Sequence, residues 1–210
     1  MFRTRIKICG LTRPQDVRAA VDSGADAIGF VFYPKSPRYV QAEQAAKIVA
    51  ALPPFVDVVA LFVNAKAEFV RQTLAAVPIN LLQFHGDEDE GYCRQFDRPY
   101  LKAARVRPGL DLVQYAASFA SAQALLLDAY VEGYGGGGHA FDWSLIPEKG
   151  AGLPRPIILS GGLTTDNVTD AVRRVRPAAV DVSSGVEVAK GIKDPAMIAA
   201  FIAGVRNADV

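Results

Sequence analysis

The sequence has 210 residues, half of them apolar, and a formal charge of +1 with acids and bases interleaved. A chain of this size buries one sizeable core, so residues 1–210 are read as one domain. Its balanced charge offers nucleic acid no electrostatic footprint, and an anionic partner must be met by a local site. Cys9 and Cys93 make no disulfide framework, and with His85 and His139 they make no metal-ligand pattern. The N-terminal apolar run is too short for a signal peptide, and no stretch reaches the ~18 apolar residues of a membrane span, which fits a cytoplasmic enzyme.

Short apolar, β-branched runs predict strands at Arg5–Cys9, Ala27–Phe32, Val58–Val63, Leu81–Phe84, Tyr100–Ala104, Ala124–Asp128, Ile157–Ser160 and Ala179–Val182. Such continuous runs suit strands buried on both faces of a parallel sheet. Amphipathic stretches of helical length lie between most of them, at Pro14–Ser23, Ala42–Leu52, Ala65–Ala75, Asp89–Phe96, Leu110–Phe119, Thr165–Val175 and Pro195–Val205. Thr12 or Arg13 before Pro14, and Asp194 before Pro195, mark helix starts, because proline suits the first helical position. Eight strand–helix units with a period of about 25 residues favour a closed (βα)₈ barrel over an open sheet. No GxGxxG follows the first strand, which argues against a dinucleotide-binding fold.

Barrel enzymes carry their chemistry at the C-terminal ends of the strands. Here those ends read Cys9-Gly10, Tyr33-Pro34-Lys35-Ser36-Pro37-Arg38, Val63-Asn64, Gln83-Phe84-His85-Gly86, Asp128, Ser160-Gly161-Gly162 and Asp181-Val182-Ser183-Ser184-Gly185. Gly161 and Gly162, before a helix expected near Thr165, and Ser183, Ser184 and Gly185, before a short connection to the last helix, form a candidate phosphate site. Backbone N–H groups can hold the anion, and glycine lets the main chain approach. Cys9 and Asp128 are the candidate base and acid. A thiol serves as base where its surroundings favour the thiolate, and desolvation can raise a carboxyl until it donates a proton. Units six, seven, eight and one are consecutive around the ring, so an anchored phosphate lies between acid and base. Arg38, in unit two, offers a fork for a carboxylate. Cys93, on a helix, is read as structural or exposed. His85 either touches substrate or shapes its loop, and His139 is assigned no chemistry. The run Gly133, Gly135–Gly138 is either a linker or a lid anchored by Phe141-Asp142-Trp143, with Trp143 as a packing residue.

Several segments, in order and over the whole chain, resemble the phosphoribosylanthranilate isomerase family. They are Lys7-Ile8-Cys9-Gly10-Leu11-Thr12, Gly24-Ala25-Asp26 with Gly29-Phe30, Lys35-Ser36-Pro37-Arg38, Gln83-Phe84-His85-Gly86, Phe141-Asp142-Trp143, Leu159-Ser160-Gly161-Gly162-Leu163 and Asp181-Val182-Ser183-Ser184-Gly185-Val186-Glu187. One departure is Gly137, where the family often has threonine. The resemblance implies an Amadori rearrangement of N-(5'-phosphoribosyl)anthranilate. Asp128 would protonate the ring oxygen, Cys9 would remove the C2 proton, and Arg38 would hold the anthranilate end. Gln83, His85 and Asp181 would contact substrate and the last two loops would hold phosphate. It implies a small phosphorylated substrate, no metal or organic cofactor, and a monomer or homodimer.

Pleating points Lys7 and Cys9 into the barrel, about 7 Å apart. Lys7 is therefore expected to pair with a barrel carboxylate, Asp181 being the candidate, and to favour the Cys9 thiolate. A histidine-pathway isomerase would use paired aspartates where Cys9 stands, and a ribulose-phosphate epimerase needs metal-binding histidines without equivalents here. A catalytically silent phosphate-binding barrel would not need both Cys9 and Asp128.

Overall fold

The structure, a computed structural model, describes residues 3–130, 141–147 and 151–209. Eight parallel strands close into a barrel in chain order: β1 (Arg5–Cys9), β2 (Ala27–Val31), β3 (Asp57–Phe62), β4 (Leu81–Phe84), β5 (Tyr100–Val106), β6 (Ala124–Ala129), β7 (Ile157–Leu159) and β8 (Ala179–Val182). The ring closes where β1 lies beside β8, with Lys7 opposite Asp181 and Ile8 opposite Val182. The expected strands are all present, with ends shifted by no more than two residues.

The helices are α1 (Pro14–Asp22), α2 (Ala42–Val49), α3 (Ala67–Ala76), α4 (Glu90–Arg94), α5 (Leu112–Ala117), α6 (Val168–Val175) and α7 (Pro195–Ala208). Several are shorter than periodicity suggests, for local reasons. Asp89 and Asp111 cap α4 and α5 by accepting from the N–H groups of Tyr92 and Gln114, which fixes where each helix begins. α6 starts at Val168, later than Thr165, because Asn167 Oδ1 accepts from Thr164 N and its Nδ2 donates to Gly162 O, holding the preceding residues in a turn. α1 begins at Pro14 after extended Arg13, and α7 begins at Pro195 with Asp194 capping Ala196 and Met197. The connection before α7 is longer in structure than expected: Ser184–Val186 form a 3₁₀ turn, and β9 (Glu187–Ala189) pairs antiparallel with β10 (Ile192–Lys193). Between β6 and β7 the described residues include a 3₁₀ turn at Trp143–Leu145, while the glycine run and His139 lie outside the described residues. Phe141 and Trp143 are partly buried against the core, which agrees with a packing role for Trp143.

Alternation divides the core in two. Ile6, Ile8, Phe62, Phe84, Leu125 and Leu127 face the helices and join the larger cluster. Phe32, Phe62, Phe84 and Phe96 form a chain of ring contacts there, with centroids 5.5–6.4 Å apart. Cys93 is buried in that layer, so it is structural, not exposed. Inside the barrel, Leu101, Ala103, Ala124, Leu126 and Ile158 make a small apolar plug, flanked by Leu81 and Ala179. A residue further along the inward pleat, the character changes: Lys7, Gln83 and Asp181 are polar and almost fully buried. The plug is thus the floor on which the polar layer stands. No helix among the described residues is long and apolar enough to cross a membrane.

Candidate active site

A cavity of about 360 Å³ opens at the C-terminal mouth of the barrel, above that polar layer. Cys9, Arg38, Gln83, His85, Asp128 and Asp181 all line it. So do Ser160, Gly161, Gly162, Ser183 and Ser184 from the last two strand ends. Val31, Tyr33, Leu61 and Val63 supply an apolar wall on the side of units two and three.

Cys9, the last residue of β1, is buried, and Lys7 lies one pleat below it. Lys7 Nζ donates to Asp181 Oδ1 at 2.8 Å, the pairing that the inward pleat of two neighbouring strands suggests. Both side chains are only 5 % exposed. Gly29 on the adjacent β2 makes the room: a Cβ there would sit 2.9 Å from Cys9 Sγ and 3.1 Å from Lys7 Nζ. Ammonium and thiol therefore share one small space. Burial nevertheless pushes the Cys9 thiol up from its ordinary value, and the pull of the Lys7 ammonium only partly offsets it. Lys7 thus acts in the expected direction, toward the thiolate, while burial is the larger effect. Lys7 itself is raised, because Asp181 and Cys9 together overcome the desolvation that lowers it.

Asp128 is fixed on both oxygens. Its Oδ1 accepts from Ala129 N at 2.9 Å, and its Oδ2 lies 2.9 Å from His85 Nε2. Gln83 Nε2 is 3.1 Å from His85 Nδ1. The ring links Gln83 to Asp128, and its tautomer sets whether His85 Nε2 or the Asp128 carboxyl carries the proton between them. His85 thus does more than shape its loop, for it joins the end of β4 to Asp128 of β6. Gln83 Oε1 is buried without a hydrogen-bond partner, an acceptor facing into the site's polar layer.

Arg38 lines the cavity, but its guanidinium is already engaged. Nε and Nη2 donate to Glu187 Oε1 and Oε2 at 2.8 and 2.7 Å. Glu187 Oε1 also accepts from Lys193 Nζ at 2.8 Å, and Lys193 Nζ donates to Ser183 O at 3.0 Å. Neither Glu187 nor Lys193 stood out as a functional residue in the sequence; Glu187 was visible only as the end of a motif. The exposed lysines Lys35 and Lys190 also border the cavity and add positive charge. Gly185 does not line it. A Cβ there would lie 1.9 Å from Leu163 O, so glycine at 185 lets the loops after β7 and β8 touch.

The arrangement is a closed-ring barrel with a buried thiol, a buried aspartate and a rim of glycine and serine around one cavity. Comparison with known proteins agrees with it. The family model for N-(5'-phosphoribosyl)anthranilate (PRA) isomerase matches residues 6–204. A relative from Dechloromonas aromatica, N-(5'-phosphoribosyl)anthranilate isomerase, is 70 % identical over 208 residues, 99 % of each chain. Phosphoribosyl anthranilate isomerase from Thermotoga maritima superposes with a TM-score of 0.90 at 43 % identity, covering 97 % of this chain and 99 % of that one. A phosphoribosyl anthranilate isomerase in complex with reduced 1-(o-carboxyphenylamino)-1-deoxyribulose 5-phosphate gives 0.84 at 41 % identity, with 97 % and 99 % covered. Monomers generated from the dimeric enzyme of Thermotoga maritima give 0.82 at 39 % identity, with 96 % and 98 % covered. With fold, site and sequence in accord, the chain belongs to the N-(5'-phosphoribosyl)anthranilate isomerase family.

Proposed function

We propose that this barrel, acting as one catalytic domain, isomerises N-(5'-phosphoribosyl)anthranilate by general acid–base catalysis, with Asp128 as acid and Cys9 as base. Family membership makes the reaction the isomerase step of tryptophan biosynthesis. The observation that carries the mechanism is that Cys9 and Asp128, from β1 and β6, border one cavity of about 360 Å³ whose rim between them is built from Gly161, Gly162, Ser183 and Ser184.

In this reading the phosphate sits on that rim, where main-chain N–H groups and nearby lysines offset its charge. The anthranilate ring lies on the apolar wall of Val31, Leu61 and Val63, with its carboxylate toward Arg38. Asp128 delivers a proton to the ribose ring oxygen, and the C–O bond opens to an iminium. His85, hydrogen-bonded to Asp128, keeps the carboxyl aimed. Cys9 then takes the C2 proton as thiolate, leaving an enolamine that tautomerises to the ketone. Lys7 lowers the cost of that thiolate against the burial that opposes it. Gln83 Oε1, without a partner of its own, accepts from a substrate hydroxyl, and Asp181 serves a second. The substrate's own nitrogen is the electron sink, so the chemistry asks for no metal or organic cofactor.

We place the step in the cytoplasm and read the chain as a monomer or a homodimer, both of which are represented by the Thermotoga maritima relative. The test of the mechanism is steady-state turnover with binding measured in parallel. Cys9→Ala and Asp128→Asn should each lose at least ~10²-fold in kcat while still binding the reduced product analogue. Near-normal turnover in either variant removes that residue from its role.

A further inference from the structure

Arg38 reaches the cavity over Gly10: a Cβ on Gly10 would lie 2.5 Å from Arg38 Cδ, so the arginine stem rests directly on the backbone beside Cys9. A guanidinium presents two bidentate edges, Nε with Nη2 from the side and Nη1 with Nη2 from the end. Glu187 occupies the side edge with both oxygens. The side chains of Glu187 and Arg38 are 5 % and 13 % exposed, so this contact is shielded from water. Behind it, the Lys193 side chain is fully buried, bonded to Glu187 and to both Ser183 O and Ser183 Oγ. The backbone N–H of Lys193 donates to Asp16 Oδ2 at 3.2 Å, and Thr12 Oγ1 donates to Gly191 O at 2.6 Å. The β9–β10 hairpin is thus fastened to the loop after β1 on one side and grips Arg38 on the other.

We infer that Glu187, backed by Lys193, is the positioning residue of substrate recognition: it takes the side edge of Arg38 and turns the end-on edge into the cavity for the anthranilate carboxylate. The inference rests on the reading of Arg38 as that carboxylate's partner. Charge supports it. Arg38 and Lys193 carry two positive charges and Glu187 one negative, so the cluster keeps a net +1 that one incoming carboxylate neutralises. Geometry supports it as well. A flexible arginine would lose side-chain freedom on binding, whereas one already held loses little. The same hairpin that locks Arg38 also holds Ser183 of the phosphate rim, so both anionic ends of the substrate are registered by one element.

A double-mutant cycle tests this. Glu187→Gln should raise KM for N-(5'-phosphoribosyl)anthranilate by about tenfold or more with kcat within about threefold, and the increment should fall below about twofold in an Arg38→Met background. Glu187→Asp keeps the charge that Lys193 needs but shortens the grip, and gives the same pattern in milder form if Glu187→Gln does not fold. An equal KM increment in both backgrounds, or a loss in kcat alone, overturns the inference and leaves Arg38 as assigned. If Arg38→Met by itself leaves KM unchanged, the reading of Arg38 fails and the positioning role falls with it.

Discussion

Lys7→Met separates what the buried ion pair does for folding from what it does for the thiol. Lys7 and Asp181 meet at 2.8 Å with both side chains 5 % exposed, so removing the ammonium leaves a carboxylate in the barrel interior with its ion-pair partner gone. Breaking a pair of this kind costs about 3–5 kcal/mol. For a chain of this length each kcal/mol moves the melting temperature by roughly 2–4 °C, so the single variant should melt roughly 6–20 °C lower. Lys7→Met/Asp181→Leu removes both charges and should recover most of that loss, because apolar replacements of similar volume are near neutral. The chemical consequence has its own sign. The ammonium opposes the burial that already pushes the Cys9 thiol up, so its loss pushes the thiol further up. Iodoacetamide alkylation of Cys9 against pH, in a Cys93→Ala background, should therefore start with a midpoint above an ordinary thiol's ~8.5 and move higher in Lys7→Met. Cys93 would interfere little in any case, since burial pushes it up to about 12. Calorimetric melting reads the first effect and the alkylation profile the second. An unshifted alkylation midpoint would refute the electrostatic role of Lys7, and an unchanged melting temperature would refute the cost assigned to the unpaired carboxylate.

Gly29→Ala places a methyl 2.9 Å from Cys9 Sγ and 3.1 Å from Lys7 Nζ, so the thiol must move by somewhat under 1 Å. A displacement of that size should cost about 10²-fold in kcat/KM, with a stability loss of only about 1–3 kcal/mol; turnover within threefold of the parent speaks against a precisely seated thiol. Asp194→Ala removes the acceptor for the N–H groups of Ala196 and Met197 and should cost about 1 kcal/mol, seen as a melting temperature roughly 2–4 °C lower without loss of turnover.

What could be read along the chain was whatever depends on near neighbours. Strand runs such as Ala124–Leu127 are buried on both faces and so are apolar throughout, and their succession with helices sets the barrel. Once the ring order is known, simple alternation places Cys9 and Asp128 at one mouth, and it brings Lys7 to Asp181 because β1 and β8 are adjacent. The tertiary structure decided what depends on distant loops and on the balance of opposing terms. Arg38 meets Glu187 across 149 positions and His85 meets Asp128 across 43, and no local pattern announces either pair. That position 185 must be glycine follows from the loop after β7, whose Leu163 O lies where a Cβ would stand. The resting state of Cys9 was likewise undecided, because burial and the Lys7 charge act in opposite directions and only the packed interior sets how much water the thiol loses.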